Sequence, residues 1–147
     1  MNVGRLALAA VTATVVDAVY GFTVYGTLLS SRFSALPNVY RQGDDAARHM
    51  AFIFVGTLVA ALAAAYIYTK GYEGGSGLTE GLSFGFVIGL FAAGYAGIVN
   101  FATLNIDLTH GLVMAAAALV EWIIAGMVIG LIYKPAPRGE GVGAGRV

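Results

Sequence analysis

The chain has 147 residues, of which 59% are hydrophobic and only 11% are charged, and its mean hydropathy is +0.80. This composition excludes an ordinary soluble domain and is typical of an integral membrane protein. The formal net charge is zero, so no basic surface argues for nucleic acid as a partner. The absence of cysteine excludes disulfides, iron–sulfur clusters and thiolate metal sites.

Four long apolar blocks follow one another along the chain. Each is long enough to cross the hydrocarbon core of a bilayer as a helix, which takes about 20 residues. Because the blocks are continuously apolar and do not alternate, they favour helices over the strands of a barrel. The sequence therefore predicts an all-α, four-helix transmembrane bundle in residues 1–134, with helices at about 6–29, 47–69, 78–104 and 108–133.

The first block begins like a signal sequence, with Arg5 ahead of an apolar stretch. That stretch is longer than the apolar core of a signal peptide and contains Asp17, so we expect an uncleaved first helix. The segment 30–46 that follows is the longest predicted loop. Its aromatic residues, Phe33 and Tyr40, suit a position at the membrane interface.

The remaining connections are short. Residues 70–77 predict a flexible, glycine-rich turn, and residues 105–111 predict a tight turn in which Asp107 or Thr109 caps the last helix. Asp44 or Asp45 is expected to cap the second helix in the same way. The segment 135–147 has the Gly- and Pro-rich composition of a flexible tail.

The distribution of Lys and Arg predicts the orientation. An even number of helices places both termini on one side, and that side carries five cations against three on the other, which favours cytoplasmic N- and C-termini and leaves dual topology open. The predicted cytoplasmic cations are Arg5, Lys70, Lys134, Arg138 and Arg146, and those on the opposite side are Arg32, Arg41 and Arg48.

Rows of small residues mark two of the predicted helices. Gly81, Gly85 and Gly89 recur at intervals of four on the third helix, and Gly126 and Gly130 do so on the fourth. Small residues at this spacing let another helix backbone approach closely. We expect both rows to face protein, either within the bundle or across an interface with a second copy or another membrane protein.

Two acids lie near the middle of predicted helices, Asp17 in the first and Glu121 in the fourth. A charged acid at the bilayer midplane costs about 2.5–3.5 kcal/mol, so we expect at least one of them to carry a proton at neutral pH. With Tyr20 and Asn100 they could form a buried polar network that relays a proton or cation. The alternative is an acid that fastens two helices by hydrogen bonding alone.

The two histidines each follow an acid by one helical turn. Asp45 precedes His49, and Asp107 precedes His110. Carboxylate and imidazole are metal ligands, and two imidazoles can hold haem, so a metal, haem or pigment site is one hypothesis. Helix capping and pairing within one turn explain the same spacing without any ligand.

The remaining aromatic residues indicate contact with lipid. Tyr66, Tyr68, Tyr72 and Tyr133 end the second and fourth helices, as expected for a belt at the cytoplasmic interface. Trp122, beside Glu121 at mid-depth, is expected to face lipid, and contact with a lipid-soluble ligand or pigment is the alternative.

The segments VYGFTVYG (19–26) and GMVIGLIYK (126–134) carry a resemblance. With the glycine row of the third helix, they resemble the first and last helices of small four-helix integral membrane proteins of bacteria. That resemblance implies topology, and no activity comes with it. The chain is also similar in plan to small multidrug transporters, in its four helices, its acid in helix one and its glycine rows, whereas the 30–46 loop and Glu121 depart from that plan.

No nucleotide-binding loop, nucleophile elbow or zinc-protease helix is present, so the sequence does not predict an enzyme. Its main hypothesis is a non-catalytic helical subunit of a homo-oligomer or larger membrane complex, motivated by the glycine rows. The first alternative is a small proton- or cation-coupled transporter that uses Asp17 and Glu121. The second is a membrane subunit that binds haem or a pigment.

Overall fold

The computed structural model describes residues 2–133. The predicted tail (135–147) and three of the predicted cytoplasmic cations, Lys134, Arg138 and Arg146, lie outside the described residues. The described part of the chain is helical and contains no strand. Its helices are α1 (Val3–Thr23), α2 (Ser30–Ser34), α3 (Gly43–Arg48), α4 (Met50–Gly71), α5 (Gly77–Ala93), α6 (Asn100–Thr103) and α7 (Leu108–Ile132).

Four helical segments are long and apolar enough to span a membrane. They have mean hydropathies of 1.6, 2.3, 2.0 and 2.3 and cover Val3–Leu28, Met50–Gly71, Gly77–Thr103 and Leu108–Ile132. The predicted all-α, four-helix bundle is therefore confirmed. Continuous apolar sequence produces such helices because in lipid every backbone polar group must be satisfied within its own segment.

Two of the four spans contain a wider π-helical turn. α1 continues through Val24–Leu28, and α5 continues through Gly94–Val99 into α6. A π turn inserts residues into the helical register and so changes the face on which later side chains lie. Tyr25, the residue that most affects the candidate site, lies in the first of these turns.

The second span begins differently from the prediction. The chain forms the short helix α3, breaks at His49, where φ is −97° and ψ is 0°, and then enters α4. Asp44 and Asp45 lie in the first turn of α3 and do not cap α4. Acids in a first turn are favourable because the positive end of the helix dipole lies there, which accounts for a separate short helix at this point.

The two glycine rows pack against each other between α5 and α7. A Cβ atom added to Gly81 would lie 2.5 Å from the carbonyl oxygen of Gly126, and one added to Gly85 would lie 2.5 Å from that of Trp122. Gly89 meets Leu119 in the same way, and Gly130 lies against Gly77 and Gly81. The backbones of these two helices are thus in direct contact, and the glycine rows are used inside the chain.

A buried cluster joins the start of α1 to the end of α7. We call this end of the bundle the termini end and the opposite end, which holds residues 29–49, the loop end. The cluster consists of Ala9, Ala10, Ala13, Ala61, Ala64, Ala65, Tyr68, Ile129 and Tyr133. Since it combines early α1 with late α7, both ends of the described chain lie at the termini end.

Two of the tyrosines predicted for the interfacial belt are buried in protein. Tyr68 and Tyr133 are each 3% exposed, and their rings pack edge to face with centroids 6.2 Å apart. Tyr68 also packs edge to face against Phe84. Tyr66 is 46% exposed and fits the belt. Because tyrosines two apart on a helix point in different directions, a row of them at a helix end cannot all face lipid.

α4 packs closely against α1 at the termini end. There Ala61, Ala64 and Ala65 are buried against α1. Towards the loop end, Met50, Ile53 and Phe54 of α4 are all exposed in the isolated chain. A crevice between α1 and α4 therefore begins near mid-depth and extends towards the loop end.

Candidate polar site at mid-depth

α7 brings its site residues to α1 through small side chains. Ala117, Ala118 and Ala125 are buried, which allows α1 to approach this face of α7. Tyr20 of α1 donates a hydrogen bond of 2.8 Å to the backbone carbonyl of Ala117. This bond fixes the two helices at a depth one turn from Glu121.

The structure brings the two mid-depth acids together. Asp17 and Glu121 lie beside each other, line the same space between α1, α4 and α7, and are both partly buried. Tyr25 donates a hydrogen bond of 2.7 Å to Oε2 of Glu121. Two carboxyl groups and one phenol, contributed by two helices, therefore form a compact polar site in an otherwise apolar part of the bundle.

Tyr20 joins this site at its edge, as its ring packs edge to face against that of Tyr25 with centroids 5.9 Å apart. Its hydroxyl is already committed to the backbone of Ala117. It therefore positions the helices and Tyr25, and its hydroxyl hydrogen is not directed at either acid.

The sequence did not single out Tyr25. In a regular helix, a residue eight positions after Asp17 lies on a different face, about 80° away. The π-helical turn Val24–Leu28 changes that register and turns Tyr25 towards Glu121. The available signal was the segment VYGFTVYG, in which Gly21 precedes the turn and Gly26 lies within it, and π turns are frequent at functional sites.

The structure places Asn100 away from the acids. Gly85 packs at the level of Trp122, whereas Gly97 packs against Gly111 and Ala115 near the start of α7. Asn100 therefore lies close to the loop end, roughly 20 Å along the helix axis from the level of Glu121 at 1.5 Å per residue. Among the contacts of residues 2–133, none links Asn100 to Asp17 or Glu121.

Two cavities meet at the acid pair. The larger, of about 410 Å³, lies in the crevice between α1 and α4, and Phe33 and Ala46 line its loop end. The smaller, of about 220 Å³, lies on the side of Trp122. Asp17, Thr57 and Glu121 line both cavities, so the carboxyl groups are reachable from either space.

Trp122 faces protein, so the expectation that it faces lipid is wrong. It packs against the buried cluster of α1, α4 and α7 and lines the smaller cavity together with Asp17 and Ala61. The alanines of α1 and α4 leave space at this depth, and the indole ring occupies part of it.

An aromatic group connects the acid site to the loop end. Phe33 lies between Tyr25 and Tyr40, with ring centroids 6.3 Å and 4.7 Å away. Tyr40 is hydrogen-bonded through its hydroxyl to Nε2 of His110 at 2.8 Å, and His110 is only 2% exposed. Burial raises the pKa of the Tyr40 phenol, so it stays neutral at physiological pH. Residues 30–42 are thus anchored on the start of α7.

The predicted metal or haem residues do not converge. Nδ1 of His49 lies 2.7 Å from the backbone oxygen of Asp45, whereas His110 is engaged by Tyr40. Asp107 accepts a 2.8 Å hydrogen bond from the backbone N–H of His110 and so caps α7. Within residues 2–133, no group of three His, Asp or Glu side chains is arranged to hold a metal ion.

Comparisons with protein-family models, curated proteins and solved structures found no match to this chain. The resemblances to small four-helix bacterial membrane proteins and to small multidrug transporters remain predictions. The geometry of the acid pair and its cavities is therefore what bears on function.

Proposed function

We propose that this chain is a small proton- or cation-coupled membrane transporter whose coupling site is the pair Asp17 and Glu121. The observation that carries the proposal is that the two acids come from different helices and meet where two cavities join. Acids inside membrane spans are rare and costly, and they mark ion or proton pathways more often than ordinary packing.

The chemistry of coupling follows from repulsion between the two carboxylates. Two neighbouring carboxyl groups resist carrying two negative charges at once, so the pair retains a proton unless another cation replaces it. A site that binds either a proton or a cation, but not both, exchanges one for the other. Tyr25 donates to Glu121 and holds one oxygen of the pair in place during this exchange.

The groups around the pair are consistent with a cation site. The larger cavity is lined by Asp17 and Glu121, and its described lining contains no Lys, Arg or His that could neutralise them. Thr57 and Gly56 of α4 face the pair without charge. A cation that enters therefore meets two carboxyl groups with no fixed positive charge beside them in the described lining.

The proposed setting is a bacterial inner membrane with the termini end in the cytoplasm. Arg5 and Lys70 lie at the termini end, and Arg32, Arg41 and Arg48 lie at the loop end. On this proposal, the anchored segment 30–42 covers the acid site from the outer side. The bilayer itself is the first partner of the chain.

The subunit hypothesis remains a prediction with less support than it had from the sequence. The glycine rows that motivated it pack against each other within the chain. A haem or pigment site also remains a prediction, and its two histidines have different neighbours.

A flux assay tests the proposed function. Proteoliposomes with a trapped pH dye, acidic inside, are given sodium, potassium, magnesium or octyltrimethylammonium, and empty liposomes supply the passive rate. We expect at least one cation to drive proton efflux in the wild type, and Asp17→Asn and Glu121→Gln to remove that protein-dependent part. Asp44→Asn, an exposed acid in α3, is the matched control and should leave it unchanged.

The proposal is overturned if no cation moves protons above the passive rate. It is equally overturned if both acid variants transport like the wild type while retaining its helical content by circular dichroism.

A further inference from the structure

The larger cavity has more apolar wall than a proton or a metal cation needs. One end carries Asp17 and Glu121, and from there the walls run along Phe22 of α1 and Ile53 and Phe54 of α4. Its volume of about 410 Å³ lies within the range of roughly 300–1,000 Å³ typical of small-molecule sites. This shape fits an elongated molecule with one polar end.

The polar end of the cavity mainly accepts hydrogen bonds. The hydroxyl of Thr14 donates to the backbone oxygen of Ala10, and that of Tyr25 donates to Glu121. The remaining polar groups are the carboxyl oxygens of Asp17 and Glu121, which are acceptors when ionised, and the hydroxyl of Thr57, which can accept as well as donate. A ligand that matches this end must supply N–H or O–H donors, and a positive charge favours it further.

We infer that this cavity binds an amphiphilic primary amine. Its ammonium group donates hydrogen bonds to Asp17 and Glu121, and its apolar tail lies along Phe22, Ile53 and Phe54 towards the loop end. This inference names a substrate class for the proposed transport function and rests on it. The charge complementarity of the acid pair distinguishes this occupant from a lipid chain, which has no donor to offer.

The exchange is balanced in charge and atoms. One ammonium ion enters the site, and the proton held by the carboxyl pair leaves, so no bond other than O–H is broken. The titratable groups that face the pair are the phenols of Tyr20 and Tyr25, on α1 and its π turn. The described α4 lining of both cavities contributes none, and His110 is separated from the pair by Phe33 and Tyr40.

The chain contains a built-in reporter for this binding. Trp122 is the only tryptophan in the sequence, and it lines the smaller cavity that shares Asp17, Thr57 and Glu121 with the larger one. An occupant at the acid pair therefore changes the surroundings of a single fluorophore. The measurement is made on the full chain in detergent micelles, together with the pH of a weakly buffered solution.

Three probes with the same octyl tail distinguish the contribution of positive charge to binding from that of hydrogen-bond donors. Octylamine has both, octyltrimethylammonium has charge without N–H donors, and octan-1-ol has no charge. We expect octylamine to give a saturable change in Trp122 fluorescence with stoichiometric proton release. Octyltrimethylammonium should bind about tenfold more weakly, because a hydrogen bond to a charged group contributes roughly this factor or more. Octan-1-ol should release no proton.

Two substitutions test the location. Ala18→Phe adds a ring to the cavity wall and should weaken octylamine binding at least tenfold, whereas Val11→Phe, at an exposed position of α1 that lines neither cavity, should leave it unchanged. Ile53→Phe serves if Ala18→Phe fails to fold.

The inference is overturned if octan-1-ol binds as tightly as octylamine and releases as many protons, if octylamine releases no proton, or if filling the cavity has no effect on octylamine binding. Sodium-driven proton efflux that persists in such a case would leave the proposed function standing.

Discussion

The hydroxyl of Tyr25 donates a 2.7 Å hydrogen bond to Oε2 of Glu121, joining residues 96 positions apart in the chain. This bond fixes the carboxyl group that the proposed function needs, since an acid with free rotamers would not hold a defined site. It also gives a hydrogen-bond partner to one oxygen of the Glu121 carboxyl, which is partly shielded from solvent. Its removal should therefore affect both stability and exchange.

Tyr25→Phe removes this hydrogen bond and keeps the ring. We expect a loss of about 0.5–1.5 kcal/mol in the free energy of unfolding, because one partner of a partly buried bond is left without its donor. Denaturant titration of the purified protein followed by circular dichroism measures the change. Tyr95→Phe, at a position that is 61% exposed, is the control and should alter stability by less than about 0.5 kcal/mol.

Gly85→Ala tests the contact between α5 and α7. The added methyl group would lie 2.5 Å from the carbonyl oxygen of Trp122, so the helices must separate, and we expect destabilisation of about 1–3 kcal/mol. At Gly56, also within a span, a Cβ atom has no neighbour within 4 Å. Gly56→Ala should be neutral or stabilising, because alanine favours helix more than glycine does. Equal effects at the two positions would contradict the packing described for Gly85.

The hydrogen bond that caps α7 predicts that the stability of the fold falls at acidic pH. Hydrogen bonding from the backbone N–H of His110 holds the pKa of Asp107 below its usual value of 3.8. A depressed folded-state pKa means that the carboxylate stabilises the fold fully above about pH 4 and loses this contribution as the pH falls through the lower, folded value. Asp107→Ala should lower the melting temperature at pH 6 and lose less stability than the wild type on going to pH 3. Parallel curves for the two proteins would contradict this role.

The contact of Tyr40 with His110 predicts local order in the loop. Tyr40→Phe should speed hydrogen exchange in residues 30–42 several-fold, because a bond worth roughly 1 kcal/mol no longer holds the segment on α7. Mass spectrometry of peptic fragments locates the effect. Exchange in the buried part of α4 near Ala64 should not change, and an effect spread evenly over the chain would contradict a local anchor.

The sequence was sufficient to predict the helices and the depth of the two acids. Long apolar runs have one stable form in lipid, and counting along two runs places Asp17 and Glu121 near the middle of theirs. That they face each other depends on helix rotation, which a single sequence constrains only through small residues such as Ala117 and Ala125.

The positions of the other site residues could not be predicted from the sequence, for physical reasons that differ between them. Tyr25 depends on a π turn, which an assumed regular helix misses. Tyr40 lies in a loop whose path is set by its contact with His110, 70 residues away. Asn100 is polar and within a span, but the register of the glycine rows places it near the loop end.

The most direct test of the central claim is infrared difference spectroscopy of the purified protein between acidic and alkaline pH, in which a carboxylic acid loses its C=O stretching band as it loses its proton. Proton exchange at the acid pair predicts a band from a poorly hydrated carboxylic acid that disappears in Glu121→Gln, shifts in Asp17→Asn and Tyr25→Phe, and is displaced in the wild type by a bound cation. A spectrum in which Glu121→Gln leaves every carboxyl band unchanged would contradict an exchangeable proton at the acid pair.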